Sequence, residues 1–168
     1  MTATVATFAV FLACSDEDPV LPDPPDIPSL TFAPELGVDL SLMTLRNSGL
    51  YIRDLVEGTG VRVGTDDGVA FNFAGFVHDG TFVDEGTYPT NMFSPGAIQG
   101  IDGEFYYLIG SGQTIAAWDL GLDGMRIGGT RQLVVPPKLA FGANGSLDGR
   151  VPPNAVLVYT LETLAAEP

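Results

Sequence analysis

Few residues in this chain could do acid–base or covalent chemistry. It has one Cys, Cys14, and one His, His78. A single Cys excludes an intrachain disulfide framework and a Cys-based zinc site. A single His argues against a Ser-His-Asp triad or a His-based metal site. Asp66 and Asp67 stand between Thr65 and Gly68, so they read as turn chemistry rather than a metal loop. What remains is an apolar constellation. The stretch 108–129, LIGSGQTIAAWDLGLDGMRIGG, holds the only Trp of the chain. Ile115, Trp118 and Leu122 fall at i, i+3 and i+7, one face of a helix, and that face points Trp118 inward.

That helix is about two turns long, too short to be stable alone in water. Neighbouring segments must hold it, and they read as strands. Residues 49–57 alternate until Gly58-Thr59-Gly60 breaks them. In 69–78, Val69, Phe71, Phe73 and Gly75 share one face, opposite Ala70, Asn72 and Ala74. Asp79-Gly80 is a hairpin signal, with a short return over 81–83. Residues 105–109 and 130–135 are further strands, the latter ended by Pro136-Pro137. In 155–164, Leu157, Tyr159 and Leu161 line one face, opposite Val156, Val158 and Thr160. The expected class is α+β, with five or six antiparallel strands and one short helix. Residues 85–104 form a connection long for a compact domain, so it is either functional or mobile.

Seven basic residues face 21 acidic ones, a net charge of −14. This argues against nucleic acid as a partner, because phosphate neutralisation needs Lys and Arg. The amino-terminal run 4–14, TVATFAVFLAC, has the length of a secretory apolar region and is too short to span a bilayer. Phe11-Leu12-Ala13-Cys14 resembles a bacterial lipobox, although no Lys or Arg lies in 1–10. The alternative is a buried strand with a free Cys. Residues 15–30, SDEDPVLPDPPDIPSL, read as an acidic, Pro-rich tether with almost nothing to pack. The expected organisation is a signal and lipobox segment over 1–14, a tether and lead-in over 15–48, and a globular domain over 49–168. Lipidated Cys14 would anchor the protein to a membrane of the bacterial envelope, on the extracytoplasmic side, periplasmic or outer-membrane.

From 49 to 164 the chain resembles the FKBP-type peptidyl-prolyl cis-trans isomerases. The resemblance rests on ordered pieces: Phe73-Ala74-Gly75, Asp79-Gly80 and Val83-Asp84; Leu108-Ile109-Gly110; Ile115 to Trp118 with Gly121, Met125 and Gly128; Ala140-Phe141-Gly142-Ala143; and Val151-Pro152-Pro153-Asn154-Ala155. It implies a curved antiparallel sheet wrapped around the short helix. It also implies catalysis without nucleophile or cofactor. An X-Pro bond rotates over a barrier of about 18–20 kcal/mol, and a dry apolar pocket that favours the twisted amide lowers it.

The resemblance implies Trp118 as pocket floor and Phe105, Thr114 and Ile115 as walls. The Ile115 N–H would be donor to a substrate carbonyl. Tyr159 and Val151 match further wall positions. Phe73 and Phe141 stand where the family usually has Tyr, and Val83 where it usually has Phe, followed by the expected Asp84. Asp84, Ile115 and Phe141 are the catalytic candidates. The plainer reading of Trp118, Phe105 and Tyr159 is core packing, and of Asp84 a solvated hairpin carboxylate. With the hydroxyls at 73 and 141 missing and no Arg in 85–104, Asp84 is expected to be exposed or paired to a backbone N–H. Tyr88, Met92 or Phe93 could fill the gap left by Val83. Expected partners are proline-containing segments of unfolded proteins, bound by a monomer without metal or cofactor. The alternative function is a non-catalytic peptide-binding module or holdase on the same fold.

Overall fold

A computed structural model describes residues 23–167; the lipobox segment with Cys14 and the start of the tether lie outside the described residues. The strands are β1 Thr44–Leu45, β2 Tyr51–Val56, β3 Gly68–Val77, β4 Phe82–Tyr88, β5 Ala97–Gln99, β6 Phe105–Leu108, β7 Thr130–Val135 and β8 Leu157–Glu167; the helix is α1, Ala116–Leu122. They form one antiparallel sheet of order β1-β2-β7-β8-β3-β6-β5, with β4 also on β3. All six segments read as strands are present. The two additional ones, β1 and β5, are two and three residues long. Too short to alternate, they form because a neighbour offers an edge: Thr44 opposes Ile52, and Ile98 opposes Tyr106. The long connection is therefore held partly as sheet.

β3 and β8 pair along their whole length, from Gly68↔Glu167 to Val77↔Leu157, with a bulge between Ala70 and Phe71. A second bulge, between Gly75 and Phe76, bends the β3–β4 hairpin. Side-chain alternation then gives the sheet two apolar faces. Val69, Phe71, Leu133, Tyr159 and Leu161 pack against Ala117, Trp118 and Leu122 of α1. Gly121 lets the helix lie close, since a Cβ there would sit 2.5 Å from the Leu133 side chain.

Val134, Val156 and Val158 form the opposite face. Ile27, Leu30, Phe32, Leu36, Val38, Leu40 and Met43 cover it. This corrects the reading of 15–48 as tether and loosely ordered lead-in: from Ile27 onward the segment is a packed strap. It runs through three 3-10 turns, Ile27–Ser29, Pro34–Leu36 and Leu40–Leu42. The Gln132 amide donates to the Leu36 carbonyl at 2.7 Å, and the Ala33 N–H to the His78 carbonyl at 2.9 Å. Pro and Asp content hid the strap because the apolar residues between them follow no strand or helix period. Pro fixes φ in advance, so such a segment docks at reduced entropic cost. His78 is half-buried beside Phe32, ring centroids 6.3 Å apart in an edge-on arrangement.

Candidate functional site

α1 presents Trp118 to a cluster of rings. Phe71, Phe73, Tyr88 and Tyr159 surround the indole at centroid distances of 5.3, 4.9, 5.2 and 5.8 Å. The indole is only 6% exposed, and its N–H is buried without an acceptor among the described residues. Tyr88 of the long connection packs on the indole and does not line the cavity at Val83. Its hydroxyl donates to the Pro95 carbonyl at 2.7 Å, tying the ring to the following turn. Met92 and Phe93, the other candidates, are 61% and 84% exposed. The resemblance implied Phe105 as a pocket wall. It is half-buried at the start of β6, and no ring contact joins it to the Trp118 cluster among the described residues. Two residues on, and on the same face, Tyr107 is fully buried beside Phe71 and Tyr88. Phe105 lies nearer the sheet edge, opposite Gln99.

Asp119 positions the start of the helix. Its Oδ1 accepts from the Tyr107 hydroxyl at 2.6 Å and the Gly110 N–H at 2.7 Å, and its Oδ2 from the Gly112 N–H at 3.2 Å. The Gly-rich loop is thus pinned to the first turn of α1. Burial first, and the bond to Asp119 second, push the Tyr107 phenol up to about 12. Thr114, half-buried, shares a 2.8 Å hydrogen bond with the Tyr107 hydroxyl. Ile115 caps the helix, its carbonyl accepting from the Trp118 N–H at 3.0 Å, while its own N–H meets no acceptor among the described residues. Sequence reasoning missed Asp119. The available signal was a carboxylate in the first turn after a Gly-rich loop, where orphan N–H groups gather.

A cavity of about 490 Å³ opens beside the ring cluster, lined among others by Val83, Asp84, Phe141, Leu147, Arg150 and Val151. Its outer wall is the loop 145–151, closed on itself. The Ser146 N–H donates to the Val151 carbonyl at 2.9 Å, and the Val151 N–H to the Ser146 hydroxyl at 2.8 Å. Asp84 is neither exposed nor paired to a backbone N–H as expected. It is half-buried and accepts from the Tyr159 hydroxyl at 3.2 Å. Burial raises its carboxyl above the usual range, against the Tyr159 bond and the charge of Arg150, which act the other way. Tyr159 is itself pushed up, chiefly by burial and then by the Asp84 charge. Gly75 makes the pair possible. A Cβ there would collide with the Tyr159 ring and lie 2.8 Å from Asp84 Oδ1.

The geometry therefore has two adjoining parts. Val83, Asp84, Phe141 and Val151 line the open cavity. Trp118, Phe73 and Tyr88 form a closed ring cluster next to it. Tyr159 joins the two, touching Trp118 and bonding Asp84. Trp118 is thus covered by Tyr88 rather than lying open as a floor.

Residues 60–164 match the model of the FKBP-type peptidyl-prolyl cis-trans isomerase family. The chain belongs to that family. An FK506-binding protein of Neisseria meningitidis serogroup B is 33% identical over 116 residues, which are 69% of this chain and 94% of that one. The crystal structure of FkpA from Escherichia coli superposes with a TM-score of 0.56 at 28% identity, over 80% of this chain and 55% of that one. A peptidyl-prolyl isomerase crystal structure from Pseudomonas syringae has a TM-score of 0.58 at 24% identity, over 76% and 82%, and supports the fold.

As an FKBP-type chain it departs from the family pattern inside its own cavity. Phe141 offers a ring edge where a hydroxyl is usual, and Phe73 packs on Trp118 without one. Val83 is buried and smaller than the usual Phe, which leaves room in that wall. Tyr159 takes over the role of carboxylate partner from Phe73. An apolar cavity with one raised carboxylate can desolvate an amide, and the Ile115 N–H at the start of α1, unpartnered among the described residues, is a backbone donor that could hold a carbonyl.

Proposed function

We propose that this chain catalyses cis–trans isomerisation of X-Pro bonds in unfolded extracytoplasmic proteins, and that the cavity at Val83, Phe141 and Val151 receives the proline. The observation that carries this is the coincidence of that apolar cavity with four of the site positions implied by the resemblance. The prolyl ring replaces water against Val83, Val151 and the Phe141 ring. Twisting the amide lowers its charge separation, so the twisted form loses less on leaving water than either planar form. The free Ile115 N–H is the donor closest to the helix start that could hold a substrate carbonyl. Asp84, its carboxyl raised by burial, and Tyr159 set the polarity of the inner wall. Anchoring through a lipidated Cys14 would place the domain at the envelope; Cys14→Ser should abolish incorporation of labelled fatty acid.

A protease-coupled assay on a chromogenic Pro-containing peptide tests the reaction. Acceleration above the uncatalysed rate, lost in Val151→Asp, is the expected result. A specific feature favours the second reading, a non-catalytic holdase. Tyr88 covers the indole, and the hydroxyls at 73 and 141 are absent. A background rate together with retained binding of an unfolded client would decide for it.

A further inference from the structure

The few cations of this acidic chain are gathered in one region, away from the cavity. Of seven basic residues, five are arginines lining two adjoining hollows of about 220 and 370 Å³ at the β2 edge of the sheet. Three carboxylates, Asp54, Glu57 and Asp123, stand among them. The region is net positive on a chain of net charge −14. Arg131 and Arg126 are committed: Arg131 pairs with Asp54 at 2.6 Å, and Arg126 donates to the Gly60 carbonyl at 3.0 Å. Arg46, Arg53 and Arg62 make no side-chain ion pair among the described residues.

The main chain at this edge is open. The Arg46 N–H donates to the Leu50 carbonyl at 2.9 Å, and Thr44 opposes Ile52. Antiparallel alternation then aims the N–H and C=O of Asp54 at the same edge. β1 ends before reaching Asp54, and the Leu42 N–H is already used, donating to the Asp39 carbonyl at 3.1 Å. Leu55 and Val56 beside this opening are 44% and 55% exposed.

We propose that an extended, acidic segment of a partner protein adds to the sheet here as a strand along residues 53–56. Its carboxylates meet Arg46, Arg53 and Arg62, and its apolar side chains lie beside Leu55 or Val56, at the β-bulge between Asp54 and Val56. Charge on an edge strand ordinarily keeps other strands away. A guard of one sign repels cationic strands and attracts anionic ones. A second copy of this chain is a poor occupant, because two molecules so strongly acidic repel one another. This inference does not rest on the isomerase reading, since β2 lies toward the opposite end of the sheet from β4.

The test uses the full chain and a labelled peptide alternating Glu with Val, read by fluorescence anisotropy. The peptide should bind, and more weakly as salt rises. The same peptide with Lys for Glu, and the Glu peptide N-methylated at alternate amides, should each bind at least about tenfold more weakly. The double variant Arg46→Glu with Arg53→Glu, both away from the core, should lose a similar factor while keeping its thermal melt. Equal binding of the Glu and Lys peptides overturns the charge argument. Equal binding of the N-methylated peptide overturns strand addition. Concentration-dependent dimers that the Glu peptide displaces would give the edge to a second copy and overturn the assignment of the partner.

Discussion

Asp84 is the residue on which the electrostatics of the cavity turn. Burial raises its folded-state pKa above the unfolded value of about 3.9. The folded state therefore holds this proton more tightly than the unfolded one. The stability so conferred is complete below the unfolded pKa and is lost as pH rises through the folded one. Asp84→Asn should accordingly raise Tm at about pH 7 and leave it unchanged near about pH 3. An equal gain at both pH values would show that burial of charge is not the cause. Phe141→Tyr returns a donor to the cavity wall and should raise kcat/KM by about two- to tenfold in the protease-coupled assay, the effect of one hydrogen bond. Tyr88→Ala uncovers Trp118. Trp118 fluorescence should therefore respond more strongly to a Pro-containing peptide in that variant than in the parent, at a cost in stability of about 2–4 kcal/mol. The same titration giving identical curves would mean that the indole face takes no part in binding.

At the scale of elements, a two-turn helix is held in place by the loop before it. Asp119 joins Tyr107, Gly110 and Gly112 to the first turn and so fixes where Ile115 stands. Asp119→Ala leaves a buried phenol and two backbone donors without their acceptor, which should cost about 1–3 kcal/mol. The urea midpoint should fall with the slope unchanged. If Ile115 binds substrate, KM should rise more than kcat falls; Asp119→Asn, which keeps an acceptor, should recover part of both. Alternation made β2, β3 and β8 legible, with the faces of β3 and β8 read correctly residue by residue, because one face of each packs against α1 and its rings. The spacing of Ile115, Trp118 and Leu122 did the same for α1. β1 and β5 were not legible, being set by the edges that they meet. The resemblance implied Phe105 as a pocket wall; that Tyr107 and Tyr88 pack into the ring cluster follows from pairings between distant residues. The Asp84–Tyr159 bond spans 75 positions, and no local pattern announces it.

At the scale of the molecule, one sheet separates two tasks. The helix side carries the cavity and the rings; the strap from Ile27 to Met43 closes the other side. Ile27→Ala should cost about 2–4 kcal/mol in denaturant titration and leave kcat/KM per folded molecule unchanged, because Ile27 touches the far face. A loss of kcat/KM without loss of stability would mean that the strap acts on the cavity through the sheet. The strap also orders events in time. Its seat is built from Val134 of β7 and from Val156 and Val158 at β8, all far later in the chain. β8 is equally the partner of β3 along its whole length. During vectorial synthesis the strap therefore leaves the ribosome before its seat exists, and β3 waits with it. The domain can close only after β8 has emerged, so strap and β3 stay unpaired until then.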